Sequence, residues 1–396
     1  MAVPPPPMSD RPPSRRDLLR LLGAGTLGLA GCGPAWGPLA LPGTTPGPPV
    51  RIPPAPPVGE TPVGEVGVDA LPRADAAASG PRPAPSPPRQ RVLPQRLRRG
   101  GTVGLIAPAG VLTSRDQLRD ATEALESLGF QTKVGRHVLA RYGFLAGTDA
   151  QRAADLMAMV QDPEVDAIVA VRGGWGCARI LPLLDYDEIA ANPKPIVGYS
   201  DVTALLLAIY DRTGLVTFHG PVGVSTWSGI TSGSFMRTLV DGIPPRLGPE
   251  TRSTRDRTET VRSGVAEGPV VGGNLSVIAG LAGTGYLPDF DDHVVFFEEV
   301  GEDAYRLDRM LIQLELAGVI RRPAAVVFGQ CSRCSSGGSS WTAEQAIRER
   351  LQTYPGPSFV GAPIGHAAPV YTLPIGLAAR VDAEAGTVDY LGPAVA

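Results

Sequence analysis

Beyond residue 100 the chain alternates between two kinds of hydrophobic pattern. Val103-Gly104-Leu105-Ile106-Ala107 is a short apolar run ended by Pro108, the pattern of a buried strand. Over residues 114–128 the apolar positions change to helical spacing, with Leu118, Ala121, Leu125 and Leu128 in step and Gly129 as the stop. A second apolar run, Asp166-Ala167-Ile168-Val169-Ala170-Val171, leads into Arg172-Gly173-Gly174-Trp175-Gly176. A third, Ile196-Val197-Gly198-Tyr199, ends at Ser200. Residues 201–213 return to helical spacing, with Leu205, Leu206 and Ile209 on one side and Gly214 terminating. Strands alternating with helices predict an α/β fold built on a parallel sheet.

A stretch over residues 244–264, rich in Arg, Thr, Gly and Pro, interrupts this rhythm and reads as a crossing between domains. After it come an apolar run at Val294-Val295-Phe296-Phe297 and helical spacing through Leu307, Met310, Leu311 and Leu314. Further strands are predicted at residues 324–329 and 359–363. Two short closing strands, 378–381 and 387–391, would be joined by a turn at Glu384-Ala385-Gly386. The expectation is two domains: residues 99–243 around a parallel sheet and residues 265–396 of mixed α/β type.

Before residue 99 the periodic pattern is missing. Of the 42 prolines, 24 lie in this part, so the high average proline content belongs to the front and not to the folded remainder. Ser14-Arg15-Arg16-Asp17-Leu18-Leu19-Arg20 looks like a twin-arginine export signal, and the apolar stretch 21–31 is too short to span a bilayer. Leu29-Ala30-Gly31-Cys32 resembles a lipobox, with Cys32 as the lipidated residue. Residues 1–32 therefore read as a lipoprotein signal. Residues 33–98 read as a Pro-, Gly- and Ala-rich tether that cannot bury enough apolar surface to offset the entropy of ordering. The chain is expected to be exported and held by lipid on a membrane, facing the periplasm.

Composition changes this picture little. A length of 396 residues with 43% hydrophobic and 19% charged residues suits a sizeable core in two domains. A net charge of −3 gives no electrostatic case for nucleic acid, and the basic cluster Arg96-Leu97-Arg98-Arg99 is short. Cys331-Ser332-Arg333-Cys334 lacks the second pair or nearby histidines that a zinc site needs; a local disulfide fits an oxidising compartment better than a redox motif. Cys177 reads as a small packed residue.

Three segments carry candidate chemistry. Ser200 sits between a strand and a helix, where a sharp turn exposes the hydroxyl and the following amides are free to hold an oxyanion. The pattern Gly198-Tyr199-Ser200-Asp201-Val202 lacks the second glycine of a hydrolase elbow, and a serine there also suits a helix cap. His366, in Pro363-Ile364-Gly365-His366, is a candidate base, with His219 as its competitor. Glu298 and Glu299 close an apolar run. In a regular strand only Glu298 shares the face of Val294 and Phe296, while a solvated pair at a strand end is the alternative. The turn Arg172-Gly173-Gly174-Trp175-Gly176 can bring backbone amides close to a ligand or serve as a plain strand-to-helix turn. A nucleotide loop is the weaker reading, since no Gly-x-Gly-x-x-Gly follows a first strand and no Lys-Ser/Thr pair follows the glycines.

Together these segments resemble the LD-carboxypeptidase family of serine peptidases, which includes the microcin C self-immunity peptidases. The likeness runs from Thr102 to Leu391 and includes Ile106-Ala107-Pro108-Ala109-Gly110, Gly272-Gly273-Asn274-Leu275, Phe297-Glu298-Glu299-Val300-Gly301-Glu302 and Leu373-Pro374-Ile375-Gly376. It implies Ser200 as nucleophile, His366 as base and Glu298 as its orienting acid. Backbone donors at Asp201 and at Gly173 and Gly174 would hold the oxyanion, at a site between the two domains. It also implies a murein tetrapeptide substrate losing its terminal D-alanine, no metal or organic cofactor, and a homodimer. The expected export departs from the cytoplasmic recycling enzymes of the family, and Trp175 stands where tyrosine is commoner. Hydrolysis of a peptide antibiotic, or murein binding without catalysis, are the alternatives.

Overall fold

The first half holds five short strands: β1 (Thr102–Ile106), β2 (Gln131–Val134), β3 (Ala167–Ala170), β4 (Ile196–Gly198) and β5 (Thr217–His219). β1, β3 and β4 are the three apolar runs read from the sequence, whereas β2, a polar edge strand, and β5 carried no such pattern. In the second half follow β6 (Arg246–Leu247), β7 (Glu259–Arg262), β8 (Val265–Asn274), β9 (Val294–Val300), β10 (Ala325–Ser332), β11 (Ser358–Val360), β12 (Leu373–Ile375), β13 (Ala378–Asp382) and β14 (Thr387–Tyr390). This computed structural model describes residues 90–248 and 258–396, which fall in one compact unit. The export signal, Cys32 and the tether as far as residue 89 lie outside the described residues.

The first sheet has the order β12-β5-β4-β3-β1-β2. Its pairs are parallel except at β12, which runs antiparallel to β5. The second sheet has the order β6-β14-β13-β8-β9-β10-β11-β7, with a parallel centre (β8 to β11) and antiparallel flanks. β3 and β4 are buried along their whole length, as expected of parallel strands covered on both faces. The α/β class and the parallel first sheet are as the pattern predicts.

The helix Thr203–Thr213 joins the two sheets. Residues Thr203 through Ile209 are all buried, so this helix has no solvent stripe. It packs against β4, β5, β8 and β12. Gly273, at φ +143°, lets β8 pass close beside it: a Cβ there would come within 2.5 Å of Thr203 Cγ2. The next N–H, of Asn274, donates to Thr203 Oγ1 at 3.1 Å.

Three boundaries differ from the expectation. Residues 90–98 belong to the fold and not to the tether: Val92 and Leu215 form a β-bridge, and Leu97 is fully buried with its N–H on the Leu239 carbonyl. The stretch 244–264 is more than a crossing, because β6 and β7 within it form the two edges of the second sheet. The C-terminal half also returns a strand, β12, to the first sheet. Its proline sits on an edge, where a missing N–H does little harm.

Candidate active site

Ser200 has φ +63°, a left-handed conformation that a non-glycine residue holds only at a cost of ~1–3 kcal/mol. The turn is fixed from both sides. Buried β4 precedes it, and a 3-10 turn, Ser200–Val202, runs straight into the buried helix Thr203–Thr213. No side chain caps either helical segment, so the reading of Ser200 as a helix cap fails. Tyr199, not Ser200, occupies the cap position of the 3-10 turn.

The glycine turn packs against this serine. A Cβ on Gly173 would lie 2.8 Å from the Cβ of Ser200 and 3.1 Å from its Oγ. Gly174 has φ +127° and lies against Gly110. Arg172 holds the turn by donating from Nε to the Gly173 carbonyl at 3.2 Å and from a terminal nitrogen to the Val111 carbonyl at 3.0 Å. The Asp201 carboxylate accepts the Cys177 N–H at 2.8 Å, tying the nucleophile turn to the short helix that follows the glycines. Burial raises the pKa of Asp201. Burial also pushes the Cys177 thiol well up, in keeping with a packed, inert cysteine. Thus Asp201 and Gly173 border Ser200, Gly174 lies one residue further along the same cleft wall, and the side chain of Asp201 has its own structural task.

β9 extends to Val300 and buries both glutamates, Glu298 at 0% and Glu299 at 2% exposure, so the solvated-pair alternative fails. Their partners differ. Glu298 Oε2 lies 2.6 Å from Nδ1 of His366. Glu299 accepts from Asn274 Nδ2 at 3.0 Å, from the Ser276 N–H at 2.7 Å and from the Val300 N–H at 2.9 Å. Burial is the main cause of the raised pKa of Glu299. A buried carboxylate is tolerated when its lone pairs are met in this way. The loop carrying His366 is seated on β10, where the Gln330 N–H donates to the Ile364 carbonyl at 2.7 Å.

His219, the competing base, lies inside the fold at 1% exposure. Neither ring nitrogen has a hydrogen-bond partner among the described residues. Its ring meets Phe296 edge-on at 5.2 Å and Tyr199 at 6.0 Å. Burial pushes its pKa down to about 4, with nearby Glu298 opposing and His366 adding to the effect. Tyr199 in turn packs edge-on against His366 at 4.8 Å. His219 therefore supports the wall behind the site and does not face the cleft.

Ser200 and His366 line one cleft of about 840 Å³ between the two sheets, with Arg172, Gly173, Gly174 and Trp175 on its wall. Trp175 is 66% exposed and meets Phe144 edge-on at the rim. Cys331 and Cys334 form a disulfide, and Arg333 between them also reaches the cleft. Among the described residues no group of three or more His, Cys, Asp and Glu side chains is arranged to hold a metal ion. Chemically, the arrangement offers a hydroxyl on a strained turn and an imidazole whose Nδ1–H can be held by a buried carboxylate. Nε2 is then left to accept a proton.

Two supporting residues were not legible beforehand. Asn274 caps the helix Leu275–Leu281 and binds Glu299; it stood in a quoted glycine-rich block that assigned it no task. Arg152 is buried and donates to the carbonyls of Pro108 and Gly176, bracing the glycine turn. An arginine in the first turn of a helix ordinarily reads as solvated, so the sequence carried no signal for it.

Sequence models of the LD-carboxypeptidase N-terminal domain and C-terminal domain match residues 103–220 and 267–381. The chain belongs to the LD-carboxypeptidase family. It is 37% identical to a probable murein peptide carboxypeptidase of Bacillus subtilis, over 73% of this chain and 91% of that one. It is 34% identical to the murein tetrapeptide carboxypeptidase of Pseudomonas aeruginosa, over 71% and 93%. Among solved structures, that of MccF in complex with glutamyl sulfamoyl guanosine superposes with a TM-score of 0.71 at 27% identity, covering 77% of this chain and 99% of MccF. For an LD-carboxypeptidase, a cleft between the two family domains is where a peptide would be expected to bind.

Proposed function

We propose that this LD-carboxypeptidase removes the terminal D-alanine of murein tetrapeptides, hydrolysing its bond to the L-centre of diaminopimelate through an acyl-enzyme. The observation that carries the reading is the buried Glu298 carboxylate on Nδ1 of His366, at 2.6 Å, in a cleft that Ser200 also lines. Ser200 Oγ attacks the carbonyl carbon while Nε2 of His366 takes its proton. Glu298 fixes the tautomer and stabilises the imidazolium. The oxyanion meets the backbone amides beside Ser200, at Asp201 and at Gly173 and Gly174. On collapse the imidazolium gives its proton to the departing amine of D-alanine. Water, activated by the same imidazole, then hydrolyses the ester and restores Ser200.

Incubating the full chain with tetrapeptide and weighing the products tests this. Release of D-alanine is expected from the wild type. Ser200→Ala is expected to lose at least about 10⁴-fold in kcat without loss of fold. Unchanged release by that variant would overturn the mechanism. The likeness to MccF supports a second substrate class, the amide of a peptide antibiotic, and the same assay run on such an amide decides between them. The strain kept at Ser200 argues against a protein that only binds murein, which would have no use for it.

The export reading is part of the proposal. Arg15-Arg16, the apolar stretch and Cys32 support a lipid-anchored enzyme facing the periplasm, whose substrate would then be murein outside the inner membrane. Cys32→Ser should free the protein from membrane fractions; retention there would remove the anchor from the reading.

A further inference from the structure

This inference rests on the function proposed above and concerns how the cleft recognises its substrate. A carboxypeptidase must tell the end of a chain from its middle, and the end differs by a carboxylate. Recognising a carboxylate calls for a cation with donors to spare, and a guanidinium suits it best. Among the described residues the cleft presents two guanidinium groups. Arg172 is committed to the carbonyls of Gly173 and Val111, holding the turn behind Ser200. Arg333 differs: it lines the same cleft, it is exposed, and it makes no hydrogen bond, ion pair or ring contact with the described residues.

The backbone beneath Arg333 is held while its side chain is free. The residue stands at φ +56°, between the two cysteines of the Cys331–Cys334 disulfide. The Cys334 N–H donates to the Cys331 carbonyl at 3.3 Å, and the Gly301 N–H donates to the Ser332 carbonyl at 2.9 Å. This second bond fastens the loop to the end of β9, two residues beyond the glutamates. The nearby cleft acid, Glu302, already faces Arg306 at 3.6 Å. A held backbone with an uncommitted guanidinium suits a carboxylate clamp, because only the side chain, and not the loop, has to be ordered on binding.

We propose that Arg333 is a specificity-determining residue that receives a carboxylate of the substrate. The tetrapeptide offers two such groups near the scissile bond, the terminal carboxylate of D-alanine and the one on the diaminopimelate side chain. Three peptides separate them: the tetrapeptide, its C-terminal amide, and a tetrapeptide with lysine replacing diaminopimelate. The wild-type full chain is expected to lose ~10- to 100-fold in kcat/KM on whichever peptide lacks the recognised group. A loss on the amide assigns the terminal carboxylate; a loss on the lysine peptide assigns the side chain.

Arg333→Ala should raise KM on the parent peptide by a similar factor and leave kcat within about threefold. It should also abolish the wild type's discrimination among the three peptides, and Arg333→Lys should restore part of it. An Arg333→Ala enzyme with wild-type KM and wild-type discrimination overturns the clamp. So does a variant weakened equally on all three peptides, since that marks a structural role. A wild type that releases no D-alanine from any of them overturns the reading on which the clamp rests, a distinct result.

Discussion

Gly173 and Ser200 are in contact across the cleft floor: a methyl group in place of the Gly173 hydrogen would stand 2.8 Å from the serine Cβ. Gly173 is not in a left-handed conformation, so alanine is compatible with its backbone. The obstacle is Ser200 itself, held in a conformation that has nowhere to yield without moving Oγ. Gly173→Ala is expected to keep the fold and lower kcat by ~10²-fold or more, the scale of a misplacement of about 1 Å at a reacting atom. D-alanine release measured beside thermal denaturation checks this. Activity near the wild type would show that the turn does not fix the serine.

Adjacent glutamates on β9 should fail in different ways. Glu298→Gln leaves the shape but offers His366 the wrong partner; an equivalent acid-to-amide change in a Ser-His-Asp protease costs ~10⁴-fold in kcat. A loss of about that order is expected here. Glu299→Gln instead disturbs a carboxylate that accepts from Asn274, Ser276 and Val300. It should cost ~1–3 kcal/mol of stability and affect turnover far less. Kinetics and melting curves of both variants decide, and reversed outcomes would exchange their roles.

His219 makes the fold sensitive to acid. Inside the protein its pKa is about 4, against 6.5 for the ordinary imidazole, because burial disfavours the charged form. As pH falls from about 6.5 towards 4 the unfolded chain binds a proton that the folded one refuses, so stability declines across this window. Two to three pH units correspond to a loss on the order of 3 kcal/mol, complete below the folded-state value and absent above neutrality. His219→Phe should remove that part of the acid slope while the neutral-pH stability stays close to wild type. Denaturant titrations at pH 7.5 and pH 4.5 test it; parallel pH slopes for the two proteins would contradict it.

How much was legible beforehand depended on whether the signal was local. β1, β3, β4 and β9 were readable because a strand covered on both faces is an uninterrupted apolar run. Ser200, Glu298 and His366 stood out as candidates because each ends or follows such a run, but the pattern alone left their alternatives open and only the family likeness gave them roles. The reading failed where burial comes from distant partners. Leu97 sits in a charged, proline-flanked segment, yet it is fully buried and its N–H is paired with the carbonyl of Leu239, more than a hundred residues away. β12 contains a proline and pairs with β5 across some 150 residues. Arg152 became a brace only because the carbonyls of Pro108 and Gly176 converge on it. No window of sequence holds those relationships.

The segment 90–98 therefore gives a direct test of the revised boundary. A chain starting at residue 99 lacks the Val92 bridge and the Leu97 side chain, whereas one starting at residue 90 keeps both. Losing a fully buried leucine alone costs ~2–5 kcal/mol. The shorter form should melt several degrees lower and be prone to proteolysis. Equal melting temperatures would return these residues to the tether.

Ser200 sets stability against chemistry. Its φ of +63° disfavours any side chain with a Cβ, and glycine adopts this conformation at no steric cost. Ser200→Gly should thus be more stable than Ser200→Ala by about 1 kcal/mol, even though glycine gains more freedom in the unfolded chain. Both should be inactive. A strained residue is retained only where something requires it, and here the requirement is a hydroxyl held on the wall of the cleft that His366 also lines. If Ser200→Ala proves the more stable of the two, the turn is not strained, and the hydroxyl is not being held against the preference of its own backbone.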